Sequence, residues 1–272
     1  MRRSPFRSNF LTAYVACAPL ALAFERSLEC RILSEQTFER PILDLGCGDG
    51  LFARILFADP IDTGIDPSEQ ELRKAARARI YQELIRCPGS AIPKPDGAYK
   101  TVFSNSVLEH IPDLLPVLAE VHRILAPGGS FYFTVPADNF EVWSAINQFL
   151  LALGLKSQSR KYRHFFNRFW KHHHAYPESR WKELAEQARF EVANIFRYDP
   201  PRVALGNDMA VFFALPSMLL NKFFGRWVLW PKLRRIVLRP FFALFDSWLN
   251  PLKHAEGCLV FVQAVKPSGT AR

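Results

Sequence analysis

The sequence predicts an α/β fold: a parallel sheet covered by helices on both faces, with an N-terminal helix and a C-terminal helical insertion rich in aromatic and basic residues. Three observations carry this expectation. Short apolar strand-like runs alternate with amphipathic helix-like runs through the first half of the chain. One of those strands ends in a glycine-rich turn, Asp44-Leu45-Gly46-Cys47-Gly48-Asp49-Gly50. A chain of 272 residues that is 49% hydrophobic can bury a full core.

Taken in order, Met1-Arg2-Arg3 and the apolar stretch from Phe10 to Phe24 imitate a secretory signal. The helical pattern continues through Glu25-Arg26-Ser27-Leu28-Glu29, so residues 1–40 are expected as a retained helical extension that packs over the site or touches lipid. Ile42-Leu43-Asp44-Leu45 reads as a buried strand and Leu51-Phe52-Ala53-Arg54-Ile55-Leu56 as the helix after the turn. Gly46 and Gly48 remove side chains that would keep a ligand from the backbone, and the first N–H groups of the helix face whatever binds there. That is the arrangement for a nucleotide-like cofactor. The dinucleotide fingerprint would need a third glycine at position 51, which is Leu, and no Gly-Lys-Ser/Thr follows for a Walker A loop.

Thr63-Gly64-Ile65-Asp66 reads as a second strand that ends in an acid twenty positions after Gly46, the spacing at which a carboxylate meets ribose hydroxyls. Asp62 is expected in a solvated turn before that strand. Pro67-Ser68-Glu69 opens a helix with Ser68 as its cap. Thr101 to Ile111 reads as strand, turn and helix start. Leu114 to Leu125 continues as an amphipathic helix stopped by Ala126-Pro127-Gly128-Gly129, and Ser130 to Pro136 is a strand. Tyr176 to Trp181 starts a further helix, and Phe190 to Tyr198 is a sixth strand.

The D-x-G-x-G-x-G turn, Val107-Leu108-Glu109-His110 and Arg123-Ile124-Leu125-Ala126-Pro127-Gly128-Gly129 together resemble the class I S-adenosylmethionine (SAM) dependent methyltransferases, in the ubiquinone/menaquinone-type (methyltransferase type 11) branch. The resemblance covers residues 42–136, and more loosely 176–198 and 257–266. It implies a Rossmann-like class I sheet and a division into an extension 1–40, a core 41–200 with an insertion 139–175, a helical insertion 201–256 and a last strand and tail 257–272. It also implies that SAM binds through the backbone of Gly46, Cys47 and Gly48, with Asp44 shaping the turn from beneath. Asp66, followed by Pro67, would hold ribose; Ser104 and Asn105 would border the methionine end. His110 would serve as a base oriented by Glu109, or the pair would brace the helix. One departure stands out: the branch carries an adenine-side acid where this chain has Pro88-Gly89-Ser90-Ala91-Ile92-Pro93, and Lys100 replaces an acid in the next strand. Backbone groups near Gly89 and Ser90 are left to hold adenine.

The region 209–250 bears on partners. Ten Phe and Trp residues there are interleaved with Lys222, Arg226, Lys232, Arg234, Arg235 and Arg239, and no acid occurs between Asp208 and Asp246. Asn221-Lys222, Gly225-Arg226 and prolines interrupt every apolar run before the ~20 residues needed to span a bilayer. The mixture suits helices lying in a membrane interface, each basic group contributing on the order of 1 kcal/mol near an anionic leaflet. A helical cap over the acceptor pocket is the other reading, and both can hold. The net charge of +9 raises nucleic acid as a rival. Nucleobase amino-methyltransferases, however, carry Asn/Asp-Pro-Pro-aromatic where this chain has Ser104-Asn105-Ser106-Val107, which disfavours that partner. His172-His173-His174 has no neighbouring Cys or acid and reads as a polar loop or a substrate-facing histidine, so no metal is expected. Five scattered cysteines without a C-x-x-C pair fit a reducing cytoplasm, at the inner face of the membrane. The acceptor expected is small and lipidic or lipid-linked. The alternatives are a degenerate SAM-binding membrane partner without turnover and a nucleic-acid methyltransferase.

Overall fold

The computed structural model describes residues 5–224, 227–249 and 253–268. Its strands are β1 (Ile42–Leu45), β2 (Ile61–Asp66), β3 (Tyr81–Arg86), β4 (Tyr99–Asn105), β5 (Leu125–Pro136), β6 (Glu191–Tyr198) and β7 (Leu259–Val265). They form one seven-stranded sheet in the order β3-β2-β1-β4-β5-β7-β6. β1 to β5 are parallel to their neighbours, whereas β7 runs antiparallel between β5 and β6. The strand order reverses between β1 and β4. Loops leaving their carboxyl ends diverge there and open the crevice where α/β sheets take ligands.

Alternation along the strands feeds two cores. Ile42 of β1 and Phe103 of β4 face one layer, packed with Leu28, Ile32, Leu33 and Phe57. Leu43 and Val102 face the other, with Val117, Val121, Phe131 and Trp181. Helices therefore cover both faces, as the alternating pattern predicts. In chain order they are α1 (Phe10–Cys17), α2 (Leu20–Ser34), α3 (Leu51–Leu56), α4 (Glu69–Ala78), α5 (Leu115–Ile124), α6 (Ala145–Ala152), α7 (Lys156–Phe169), α8 (Glu178–Gln187), α9 (Pro201–Phe224), α10 (Pro231–Leu238) and α11 (Phe242–Trp248).

Three local expectations are corrected. The N-terminal extension is two helices rather than one: Pro19 caps α2, and its ring and missing N–H prevent α1 from continuing. Asp62 lies inside β2, not in a turn before it, where it accepts 2.9 Å and 2.7 Å hydrogen bonds from the Arg40 guanidinium and the Ile42 amide. Pro127-Gly128-Gly129 falls within β5 rather than ahead of it. The register against β4 jumps there from Tyr99–Leu125 to Thr101–Ser130.

The region 209–250 folds largely as α9, α10 and α11. Met1 to Ser4, Gly225 and Arg226 lie outside the described residues. Among the described residues, no helix is long and apolar enough to cross a membrane. All five cysteines are free thiols.

Candidate active site

The glycine turn is held by its own backbone. The amides of Gly46 and Cys47 both donate to the Ile65 carbonyl at 2.9 Å, tying the end of β1 to the end of β2. Gly46 has φ +77°, and a Cβ there would lie 2.5 Å from Cγ1 of Val107. A side chain at Gly48 (φ +50°) would meet no atom within 4 Å, so the turn is open on that side. Asp66 sits opposite. Its carboxylate accepts from the Gly48 amide at 3.1 Å and from the Ser68 amide at 2.8 Å, with Pro67 between the two. Lone pairs remain on both oxygens, each already aimed by a backbone bond.

Asp44 is buried beneath the turn, where Tyr81 donates a 2.7 Å hydrogen bond to it. Burial pushes its carboxyl up to about 7, against the Tyr81 bond and helped by the nearby Asp66 charge. At the end of β4, Ser104 is buried and donates to the Leu45 carbonyl at 3.0 Å. Asn105 donates to Glu29 at 2.9 Å and accepts from Thr134 at 3.0 Å. Both side chains are thus tied into the frame. The loop 88–96 is clamped from α5: Glu120 accepts from the Ile92 amide at 2.7 Å, and Arg123 donates to the Ile92 and Lys94 carbonyls and to Asp96.

Beside the turn lies a cavity of about 400 Å³. The chain Ser106-Val107-Leu108-Glu109-His110 joins the two: Val107 packs on Gly46, while Ser106, Glu109 and His110 line the cavity. Its other walls come from α2 (Glu25, Arg26), the insertion 139–175 (Phe140, Trp143, Phe166, Trp170, His172) and the segment beginning at Asp199. The insertion and the N-terminal extension thus both line this cavity.

Sequence reasoning missed the polar floor. Glu29 is fully buried and accepts from Arg26 at 2.7 and 3.0 Å, from Asn105, and from Ser106 and Tyr198 at 3.2 Å. Arg26 also donates to Ser106 at 2.6 Å. The available signal was Arg26 and Glu29 at i,i+3 in a helix flanked by apolar runs, a pairing that a buried face tolerates only when complete. Asp199 is buried with one oxygen unpartnered, and burial raises its pKa strongly.

Glu109 and His110 occupy a single 3-10 turn, Leu108–His110, after β4. Glu109 is 3% exposed, its Oε2 has no partner, and burial pushes its carboxyl up to about 8. His110 Nδ1 lies 3.2 Å from the Lys171 carbonyl, so that nitrogen carries the hydrogen and Nε2 presents a lone pair. Partial burial lowers its pKa, which favours the neutral ring. The triple histidine splits as its spacing requires. His174 uses both nitrogens, on Tyr176 and the Ile111 carbonyl, whereas His172 turns to the cavity with its ring 5.3 Å from that of His110. The acid that the sequence neighbourhood lacks is supplied by the fold, as Glu109.

Comparison with known proteins decides the family. The family model described as a methyltransferase domain matches residues 19–195, more than half of the chain. The chain belongs to the class I SAM-dependent methyltransferases. The matched residues begin within one position of α2, so that helix falls inside the family's span. Relatives of this methyltransferase include a ubiquinone biosynthesis O-methyltransferase of Thiobacillus denitrificans, 34% identical over 103 residues, covering 35% of this chain and 44% of that protein. A malonyl-[acyl-carrier protein] O-methyltransferase of Legionella pneumophila is 31% identical over 121 residues, covering 40% and 43%. The chain thus spans less than half the length of these curated relatives. Among solved structures, a SAM-dependent methyltransferase of Thermotoga maritima, described as a possible histamine N-methyltransferase, superposes with a TM-score of 0.56. It covers 91% of each chain at 17% identity, a likeness of fold.

Proposed function

We propose that this methyltransferase transfers the methyl group of SAM to a small, lipidic or lipid-linked acceptor at a membrane surface, from the cytoplasmic face. One observation carries the reading. Trp170 both lines the cavity and is 47% exposed, and it stands at the end of α7, whose Phe165 and Phe169 are 60% and 61% exposed. The cavity thus opens onto an apolar face. Arg160, Lys161, Arg168 and Lys171 are exposed around that face, and on α10 Leu233, Ile236 and Val237 are exposed beside Lys232 and Arg235. Large exposed apolar groups among cations are what an interfacial helix presents to anionic lipid.

The residues present fit SAM, since the turn is open on the Gly48 side while the facing carboxylate is already aligned. Gly46, Cys47 and Gly48 would hold the cofactor through backbone, Asp44 would support the turn, and Asp66 with Pro67 would receive the ribose hydroxyls. The frame of Ser104 and Asn105 would border the methionine end. Bound SAM supplies a methyl group activated on a sulfonium. The chain's own contribution is alignment and exclusion of water: the aromatic walls desolvate the acceptor, and the Ser106–His110 segment sets it beside the turn. Where the acceptor must lose a proton, His110 Nε2 takes it, in the tautomer held by the Lys171 carbonyl. Glu109 lies 3.9 Å away and orients that exchange.

The test incubates the full chain with methyl-labelled SAM and two substrate pools: a bacterial membrane lipid extract in phosphatidylglycerol vesicles, and total RNA. Label entering the organic phase, with the protein sedimenting on the vesicles in a salt-sensitive way, is the expected result. Label entering RNA, or no sedimentation, would overturn the membrane-acceptor reading.

A further inference from the structure

We propose that Glu109, His110 and His172 form a binding site for one divalent first-row transition ion, with its open coordination positions facing the acceptor cavity. One donor atom from each residue lies within 4.8 Å of the others. Two imidazole nitrogens and one carboxylate oxygen are a donor set that suits zinc, iron(II), cobalt(II) or nickel(II). Metal–donor bonds of about 2.0–2.2 Å place donors roughly 3–4 Å apart. Glu109 Oε1 and His110 Nε2 already stand 3.9 Å apart, so small side-chain rotations close the set.

Three further features point to a ligand rather than to chance proximity. Glu109 Oε2 is buried without a hydrogen-bond partner, and so is Nδ1 of His172. Such groups are costly to leave unmade, and both belong to residues of this cluster. His110 is also arranged as a ligand. Its Nδ1–H donates to the Lys171 carbonyl, which leaves the Nε2 lone pair free, and a backbone carbonyl behind a ligating histidine is the usual orienting partner. The backbone fixes the two halves of the site together, since the His173 amide donates to the Glu109 carbonyl at 2.8 Å. Arg26 does not oppose the ion in full, because its guanidinium lies 2.7 Å from Glu29.

The ion's use rests on the acceptor-pocket reading above; its binding does not. An acceptor oxygen that ligated the ion would release its proton to water more readily, so the ion rather than His110 would prepare it for attack. This selects acceptors with an ionisable hydroxyl, phenols above all, over amines and carbon nucleophiles.

The experiment titrates cobalt(II) chloride into the chelator-treated, dialysed full chain without SAM or acceptor, following visible d–d absorption, and repeats the titration with zinc by calorimetry. One equivalent should bind with a low-coordinate cobalt spectrum. His172→Phe, which keeps a ring packed against Phe140, and Glu109→Gln should each weaken binding by about 100-fold or more, whereas His173→Ala should not. Circular dichroism separates a misfolded variant from a lost ligand, and the wild-type titration stands without either. No saturable binding to the wild type, or binding unchanged in both His172→Phe and Glu109→Gln, would overturn the site. Neither result bears on vesicle binding or label transfer, so failure of the metal site and failure of the membrane-acceptor reading are distinguishable.

Discussion

The two halves of the proposed active site are built in opposite ways. The proposed cofactor end is shaped by backbone: the Gly46 and Cys47 amides close the turn on the Ile65 carbonyl, and Asp66 is aimed by the amides of Gly48 and Ser68. All of it lies in one contiguous stretch of strand, turn, helix and strand. The cavity proposed for the acceptor is made of side chains drawn from α2, the turn after β4, the insertion 139–175 and the segment after β6. Backbone geometry tolerates few alternatives, so the first half is stereotyped. Side chains meeting across the fold can be exchanged one at a time, so the second half is where a shared fold acquires its own substrate.

The largest effect expected from disturbing this arrangement is at the acceptor floor. Arg26→Met strands the fully buried Glu29 and should cost about 3–5 kcal/mol in denaturant unfolding. Adding Glu29→Gln should recover much of that loss, because the uncompensated charge is gone. An Arg26→Met variant as stable as wild type would mean that the ion pair does not hold α2 over the site.

At the cofactor end the prediction is graded within a single turn. Gly46→Ala should destabilise the protein by roughly 2–4 kcal/mol, since its Cβ collides with Val107 in a left-handed conformation. Gly48→Ala pays only the conformational cost, about 1–2 kcal/mol, because it meets no atom, yet it should weaken SAM binding by intruding into the open side. Equal thermal shifts for the two variants would contradict the geometry.

A pH-dependent effect belongs to Asp44. Its folded pKa is raised from an ordinary value of 3.8 to about 7, so the folded state keeps a proton that the unfolded chain has lost. Its contribution is present in full below about pH 4 and disappears as pH rises towards 7, so stability falls across that window. The full shift from 3.8 to about 7 sets an upper limit of roughly 4 kcal/mol on that loss. In Asp44→Asn the slope of unfolding free energy against pH over that interval should be shallower than in wild type. A steeper slope would reverse the sign of the argument.

The legibility of the two ends follows from the same contrast. The glycine turn at Gly46 and Gly48, the strand end at Asp66 and the turn at Glu109-His110 could be placed in the fold because each is locally encoded. The covering of both sheet faces followed from alternating patterns. What escaped was non-local. Arg26 and Glu29 read only as part of a continuing helix, and their partners Asn105, Ser106 and Tyr198 lie far away in sequence. His172 lacked an acid in sequence and found Glu109 in space. Asp62 was displaced from a turn into β2 because its partners, Arg40 and the Ile42 amide, sit twenty residues earlier.

The most direct test of the central claim is calorimetric titration of SAM into the full chain alongside Asp66→Ala. Saturable binding by the wild type, weakened in the variant by the ~1.5–3 kcal/mol that hydrogen bonds to a charged group contribute, is the predicted result. Equal affinity in both proteins would remove the ribose contact from Asp66, and no heat at millimolar SAM would contradict a cofactor site at this turn.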